Sequence, residues 1–128
     1  MGRSFEDLEV YRQARLLRHR VYKLTALLPA DEKFGLVPQM RRAAVSVTNC
    51  IAEGHRSRSY RHNASYLYRS RGSVCELLDD FNVCEDEKYF TKVQIDDIRA
   101  QAVLVQKLIN GYIKYLKSRP AKGDVDRD

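Results

Sequence analysis

A stretch of arginines, histidines and tyrosines between residues 55 and 71 is the part of this sequence best suited to chemistry. It contains five arginines, two histidines and three tyrosines, and no acidic residue interrupts it. Arginine neutralises phosphate groups, and a tyrosine ring offers a face on which an unpaired base can stack. Single-stranded or looped RNA uses both kinds of contact. The residues expected to contact nucleic acid in this stretch are Arg56, Arg58, Arg61, His62, Arg69 and Arg71.

A second basic group lies near the amino terminus, on the polar side of an apolar stripe. It consists of Arg12, Arg15, Arg18 and His19, with almost no acid beside them. These residues are further candidates for contact with nucleic acid. Solubility, or salt bridges to the more acidic second half of the chain, is the alternative interpretation. For residues 55–71 the alternative is a solvated start of a helix, whose tyrosines belong to the core or to an interface.

The sequence contains no pattern typical of a metal or catalytic site. A di-iron site in a helical bundle needs Glu-x-x-His pairs, and no glutamate lies three residues before His19, His55 or His62. The cysteines and histidines lack the spacing of zinc ligands, and the glycines do not cluster into a phosphate-binding loop. Ser46, Ser73 and the cysteines lack a nearby histidine that would suggest a nucleophile and its base. We therefore expect a protein that is not an enzyme and needs no cofactor or metal.

The charge is unevenly distributed along the 128 residues. The net charge is +6, and residues 1–74 hold 14 basic against 6 acidic side chains, whereas residues 75–128 hold 9 against 11. Twelve of the 14 basic residues in the first part are arginines, which pair with phosphate or carboxylate through two parallel hydrogen bonds. This asymmetry favours a polyanionic partner, although solubility alone also fits.

Bulk composition predicts one soluble domain. A hydrophobic fraction of 44% with 31% charged residues is typical of a globular protein, and the length suits a single core. No apolar run approaches the roughly 18 to 20 residues of a membrane span, and the amino terminus lacks an apolar signal core, so we expect a cytoplasmic protein. Three cysteines without a CxxC motif indicate small buried thiols.

Four amphipathic segments are expected to position these groups. They cover about residues 5–29, 32–54, 58–87 and 91–119, with Pro38 marking either a separate first turn or a kink in the second segment. The prediction is an all-α, antiparallel up-down-up-down four-helix bundle over residues 4–118, followed by a disordered polar tail at 119–128. Apolar residues beyond one buried face on the first and fourth helices predict an oligomer contact: Leu8, Tyr11, Leu16, Leu104, Leu108 and Tyr115.

The second and third segments are expected to pack most tightly, because they carry small residues. Ala43, Ala44, Gly54, Gly72 and Ser73 are the positions at which the two helix backbones should approach. Arg41 and Arg42 lie beside these residues, and one of them is expected to form a structural pair with Glu53 or Glu76, with ligand binding as the alternative role of these arginines. Glu53 is alternatively expected to accept hydrogen bonds from the turn that follows it.

The chain resembles the four-helix-bundle family of 23S ribosomal RNA intervening-sequence proteins over about residues 4–118. The resemblance is carried by FEDLEVYRQA, VYKLT, RRAAVSV followed by IAEG, and GSVCEL. Cys50 stands where the family pattern has an asparagine, and Arg69 and Ser70 replace an apolar-small pair. The resemblance implies a homopentamer arranged as a barrel. Related bundle proteins are accessory subunits of the reverse transcriptases in diversity-generating retroelements. The resemblance therefore implies two partners, a nucleic acid and a reverse transcriptase.

Overall fold

The computed structural model describes residues 4–119, which contain four α-helices, two short 3-10 helices and no strand. The all-α class predicted from the sequence is therefore confirmed. Of the predicted tail, residues 120–128 lie outside the described residues. The α-helices are α1 (Glu9–Thr25), α2 (Leu36–His55), α3 (Tyr60–Asp86) and α4 (Lys92–Lys117).

The start of α1 differs from the sequence-based prediction. Ser4 does cap a helix, but its hydroxyl accepts from the backbone N–H of Glu6 at 3.2 Å and closes the 3-10 helix Phe5–Asp7. Leu8 is extended, so α1 begins only at Glu9. The helix also ends at Thr25, four residues before the proline that was expected to stop it.

The segment before α2 forms a separate turn, which was one of the two predicted alternatives. The 3-10 helix Ala30–Glu32 precedes α2, and Pro38 falls in the first turn of α2. A proline is tolerated there because the first N–H groups of a helix have no intrahelical acceptor.

Two local caps explain why α3 and α4 begin within two residues of their predicted starts. The Ser59 hydroxyl accepts from the backbone N–H of His62 at 3.1 Å. Thr91 and Gln94 form a reciprocal capping box, with bonds of 3.2 Å and 2.9 Å. Both caps are encoded within a few residues, so the sequence predicts them well.

Each helix packs against two others, so that α1 contacts α2 and α4, and α3 contacts α2 and α4. Neighbouring helices are antiparallel. Gln13 in α1 meets Gln101 in α4, whereas Arg20, two turns further along α1, pairs with Asp97, one turn earlier in α4. One apolar cluster fills the interior, and its largest fully buried side chains include Leu17, Met40, Leu67, Phe81, Ile95 and Ile109.

The apolar residues predicted for an oligomer contact divide into two groups. Tyr11 is buried, Leu8 and Leu108 are half-buried, and all three pack against the core of their own chain. Leu16, Leu104 and Tyr115 are 43%, 40% and 52% exposed. Only the second group is therefore available to another molecule.

Two smaller predictions were also tested. Cys50 and Cys84 are buried free thiols, as expected, whereas Cys75 is exposed. Among residues 4–119, no helix has the length and apolar character needed to cross a membrane.

Candidate functional site

The candidate site is centred on the pair of helices α2 and α3. Small or hydroxyl-bearing side chains at the contact between them allow the two helix backbones to approach closely. The hydroxyl of Ser70 donates to the carbonyl oxygen of Val47 at 2.8 Å, and that of Ser73 donates to Ser46 at 2.8 Å. Ala43, Ala44 and Gly54 are buried, as predicted for residues at a close helix contact.

Gly72 is not part of this contact. It is exposed, and a Cβ atom built on it would meet no other atom within 4 Å. The reason is helical phase, because successive residues point about 100° apart and Gly72 cannot face α2 when its neighbour Ser73 does. The predicted packing role of Gly72 is therefore wrong.

Arg41 is structural, but its predicted carboxylate partner is wrong. Its Nε atom donates to the hydroxyl of Thr25 at 2.8 Å, and its guanidinium lies 4.6 Å from the centre of the Tyr22 ring. Arg41 therefore ties α2 to the end of α1, away from Glu76 on α3. Glu53 lies about three turns along the same helix, roughly 18 Å away, which is too far for a pair.

Arg42 and the two glutamates also lack the predicted pairs. Within residues 4–119, Arg42 makes no ion pair, and Glu53 makes no hydrogen bond to the turn that follows it. Glu76 is exposed on α3. Arg42 and Glu53 instead lie on the outer side of α2, where they line a groove.

That groove, called here the α2 groove, has a volume of about 680 Å³ and crosses the outer side of α2 between α1 and α3. Ser46, Asn49 and Cys50 contribute to it from α2. Its cationic side chains are Arg41, Arg42 and Arg69, and Glu53 is the acid among its lining residues. Tyr22 and Tyr66 close its two sides.

A second groove, the α1 groove, adjoins the first. It has a volume of about 400 Å³ and is lined by Arg15, Arg18, His19 and Tyr22. Arg18 is partly engaged, because its guanidinium donates to the hydroxyl of Thr48 at 3.0 Å. Tyr22 lines both the α1 groove and the α2 groove, so the two adjoin at this side chain.

A third groove, the α3–α4 groove, lies between the first turns of α3 and the last turn of α4. Its volume is about 610 Å³, and it shares Arg69 with the α2 groove. Its lining residues are Tyr60, Arg61, Ala64, Ser65, Tyr68, Arg69, Leu116, Lys117 and Arg119. The three grooves together form one basic track over the surface of the bundle. Within the described part of the chain, the track carries one carboxylate, that of Glu53, and eight arginine or lysine side chains: Arg15, Arg18, Arg41, Arg42, Arg61, Arg69, Lys117 and Arg119.

Tyrosine rings along the track are paired with these cations. Arg69 lies 5.2 Å from the ring centre of Tyr66, and Arg119 lies 5.1 Å from that of Tyr60. Lys117 lies 5.5 Å from the ring centre of Tyr68 and donates to its hydroxyl at 2.8 Å. Such pairs hold the ring and the cation together at the surface. Arg69 and Arg119 therefore each cover one face of a ring, a restriction on base stacking that the sequence did not reveal, whereas Lys117, bonded to the hydroxyl, lies at the edge of the Tyr68 ring.

The structure brings together only some of the residues predicted to contact nucleic acid. Arg15, Arg18, His19, Arg61 and Arg69 line the track. The remaining predicted residues line none of the three grooves: Arg12, Arg56, Arg58, His62 and Arg71.

The residues outside the track have different surroundings. Arg12 lies 3.7 Å from Glu9, and Arg71 donates to Asn110 at 2.9 Å while its guanidinium lies over Tyr68. Arg56 and His62 are exposed near the α2–α3 turn. A role of these residues in nucleic-acid binding stays a prediction.

The set of basic residues that the sequence analysis assigned to nucleic-acid binding did not include Lys117 and Arg119. They lie about 50 residues from Tyr68, and only the antiparallel packing of α4 on α3 places them beside it. The predicted up-down-up-down order of the helices could have indicated this proximity, because it places the last turn of α4 beside the first turns of α3.

A buried carboxylate, Asp80, lies outside the track and was also missed. It is 3% exposed, accepts from Gln39 Nε2 at 2.7 Å through one oxygen, and has no partner within residues 4–119 for the other. Burial raises the pKa of Asp80 to about 6, although the Gln39 bond acts in the opposite direction. The burial of Asp80 could have been predicted from the sequence, because Asp80 has the helical spacing of the inward-facing residues Ser73, Leu77 and Cys84. Among the described residues, no three His, Cys, Asp or Glu side chains are placed to hold a metal ion.

The fold defines an antiparallel four-helix bundle with a basic, tyrosine-rich outer surface. The chain belongs to the 23S rRNA-intervening sequence protein family, whose sequence model matches residues 6–111. This confirms the resemblance seen in the sequence.

A solved structure has a similar fold. It is the crystal structure of a protein with unknown function from the S23 ribosomal protein family of Bacteroides thetaiotaomicron. The two chains are 20% identical, the match covers 82% of this chain and 98% of the other, and the TM-score is 0.77. At this identity the likeness shows the fold alone. No curated protein matches this chain.

Proposed function

We propose that this protein is a non-enzymatic, oligomeric protein that binds single-stranded or looped RNA along the basic track. The observation that carries this proposal is the adjacency of the three grooves, whose lining residues within 4–119 include eight cationic side chains and a single carboxylate. A charged strand needs such a row of neighbouring cations, whereas solubility needs only scattered charge.

The tyrosines of the track suit an unpaired strand in particular. Tyr22 and Tyr68 are 39% and 38% exposed at their grooves. An aromatic face at the surface serves a strand whose bases are free to leave their stack, which RNA loops and single strands provide. A stacked duplex hides these faces and would use the arginines only.

Self-association is the second part of the proposal. Leu16 in α1 and Leu104 in α4 are exposed and lie within one turn of the Gln13–Gln101 contact, so they share the α1–α4 side of the bundle. This side is separate from the α2 side that carries most of the track. A homopentamer, as the resemblance implies, would cover these leucines in a ring and leave the grooves over α2 accessible.

Oligomerisation also determines how binding must be measured. Five copies of a +6 chain concentrate a charge of about +30, so weak binding to any polyanion is expected at low salt. Binding therefore has to be compared near physiological ionic strength, at which exposed charges act over about 8 Å.

The test is a titration of structured RNA, single-stranded RNA and duplex DNA across a salt series, with the oligomer mass measured on the same sample. The variant Arg42→Met/Arg61→Met/Arg69→Met removes three cations of the track. We expect it to bind the RNA probe far more weakly and to lower the slope of log affinity against log salt by about 2. The control Lys33→Met/Lys107→Met/Lys114→Met has the same net charge, but its sites lie outside the grooves, and it should bind nearly as wild type.

An equal loss in both triple variants would mean that only net charge matters, and would count against the track. The rival function is then a protein adaptor, for example for a reverse transcriptase. The exposed apolar side of α1 and α4 favours it, because such a side can receive another protein as well as a second copy. An adaptor would lose its protein partner on substitution of that side and would be indifferent to Arg42, Arg61 and Arg69.

A further inference from the structure

The α3–α4 groove differs from the other two in the residues at its floor. Ala64 and Leu116 line it while being only 7% and 3% exposed, so they form an apolar floor beneath the surface. In the α2 groove the buried lining residue is the thiol-bearing Cys50, at 8% exposed, with the polar Ser46 and Asn49 beside it, and the α1 groove has cationic side chains and a histidine. Phosphates suit the polar grooves, whereas an apolar floor suits a flat, weakly hydrated group.

Aromatic rings form walls of this groove. Tyr60 and Tyr68 lie two turns apart on α3, a rise of about 12 Å along the helix. Lys117 fixes Tyr68 through its hydroxyl, and Arg119 lies over the ring of Tyr60. Because both rings are held in place, little side-chain freedom remains to be lost when a ligand enters.

Cations surround the entrance. Arg61, Arg69, Lys117 and Arg119 line the groove, and among residues 4–119 no carboxylate does. The volume of about 610 Å³ falls within the range of roughly 300–1,000 Å³ that holds organic ligands. An occupant that matches this arrangement is flat, apolar on its faces and attached to negative charge.

We infer that the α3–α4 groove receives an unstacked base of a single-stranded nucleic acid, while the neighbouring phosphates bind the cations at its entrance. This inference rests on the proposed function and deepens it. It assigns phosphate binding to the whole track and base binding to this one groove. The neutral polar groups among the described lining residues are the hydroxyls of Tyr60, Ser65 and Tyr68, which can donate to or accept from any base, so the groove distinguishes unpaired from paired bases more than one base from another.

The test compares three probes of matched length: a short oligouridylate, an abasic ribose-phosphate strand and an RNA duplex. Wild-type protein should bind the oligouridylate about tenfold more tightly than the abasic strand at the same salt. The variant Tyr68→Leu keeps every charge and removes a stacking face of the groove. It should lose most of that difference, bind the abasic strand as before and keep the same salt slope.

Tyr115→Leu is the matched control. Tyr115 is exposed and also has Arg119 over its ring, at 5.5 Å, but it does not line the groove. Its replacement should leave the preference for the oligouridylate intact. If Tyr68→Leu fails to fold, Ser65→Leu narrows the groove from an exposed position and should give the same selective loss.

Equal affinity of wild-type protein for the oligouridylate and the abasic strand would overturn this inference. If both strands then still bound near 150 mM salt and depended on Arg42, Arg61 and Arg69, the proposed function would stand without a base pocket. If none of the probes bound at that salt, both proposals would fail. A preference that survives both Tyr68→Leu and Ser65→Leu would place base recognition elsewhere and overturn the inference as well.

Discussion

Gly54 in α2 and Asn63 in α3 approach so closely that a Cβ atom on Gly54 would lie 2.6 Å from the side-chain oxygen of Asn63. The same atom would lie 3.0 Å from Tyr66 Cβ and 3.1 Å from the Asn63 carbonyl oxygen. Asn63 is fully buried, and its amide donates to the Tyr112 hydroxyl at 3.1 Å, so it cannot easily move away. Gly54 is thus required by the close approach of two helices, and its own φ is not positive.

This contact predicts opposite effects for the same substitution at two glycines. Gly54→Ala should lower the free energy of unfolding by about 1–3 kcal/mol, because overpacking outweighs the gain in helix propensity. Gly72→Ala adds a methyl group to open space on α3 and should raise it by up to about 1 kcal/mol. Denaturant unfolding of both variants measures the difference. Destabilisation by Gly72→Ala, or none by Gly54→Ala, would contradict the described helix contact.

Substitution of the two adjacent arginines of α2 should have different effects, with Arg41 needed for stability and Arg42 for RNA binding. Arg41→Ala removes the bond to Thr25 and the contact with Tyr22, and should cost about 1–2 kcal/mol of unfolding free energy. Arg42→Ala removes an exposed side chain and should change stability by no more than about 0.5 kcal/mol. Thermal or denaturant unfolding tests the first effect, and an RNA titration should show weaker binding for Arg42→Ala. Equal unfolding free energies of the two variants would show that the contacts of Arg41 with Thr25 and Tyr22 do not stabilise the fold.

Asp80 predicts a specific pH dependence. Its pKa is raised to about 6 in the folded protein against an ordinary value of 3.8, so the folded state holds the proton more tightly. The stabilisation by protonated Asp80 is therefore complete below about pH 4 and is lost as the pH rises through 6. In Asp80→Asn the amide oxygen can still accept from Gln39 and no charge develops. Its unfolding free energy relative to wild type should rise by on the order of 2–3 kcal/mol between pH 4 and pH 7.

The control for this prediction is Asp86→Asn, which changes an exposed carboxylate on the same helix that is not among the groups raising the pKa of Asp80. Its unfolding free energy should follow that of wild type over the same pH range. Parallel curves for wild type and Asp80→Asn would mean that Asp80 titrates normally.

Self-association should depend on the exposed leucines of the α1–α4 side. Leu16→Asp/Leu104→Asp places two charges on that side without disturbing the core, and the molecular mass in solution should fall towards that of one chain. Phe34→Ser is the control, because Phe34 is 88% exposed in the segment before α2, away from that side. Sedimentation or light scattering provides the measurement. An unchanged mass in the double variant would assign any contact between copies to another surface.

The sequence predicted the features that depend on a few neighbouring residues. The starts of α3 and α4 lie within two residues of the predicted ones, because Ser59 and Thr91 cap these helices locally. The start of α1 was less predictable, because Ser4 can cap a 3-10 turn as well as an α-helix. The sequence pattern did not distinguish between these two uses.

The candidate site was predictable only in part, because much of it is tertiary. Arg61 and Arg69 belong to one local basic stretch, but Lys117 joins them only through helix packing. The partner of Arg41 was misjudged for a related reason. The sequence suggested that an arginine near buried small residues would pair with a carboxylate. In the structure, the Thr25 hydroxyl and the Tyr22 ring are the partners of Arg41 instead.

The cation-covered tyrosines have a consequence for light emission. The chain has no tryptophan, so its eight tyrosines are its main ultraviolet emitters. Five of them have an arginine or lysine over the ring: Tyr22, Tyr60, Tyr66, Tyr68 and Tyr115. Any molecule that displaces those cations or stacks against the rings will alter the emission of a large share of the chain's fluorophores. The unlabelled protein is therefore its own optical sensor for whatever occupies these grooves.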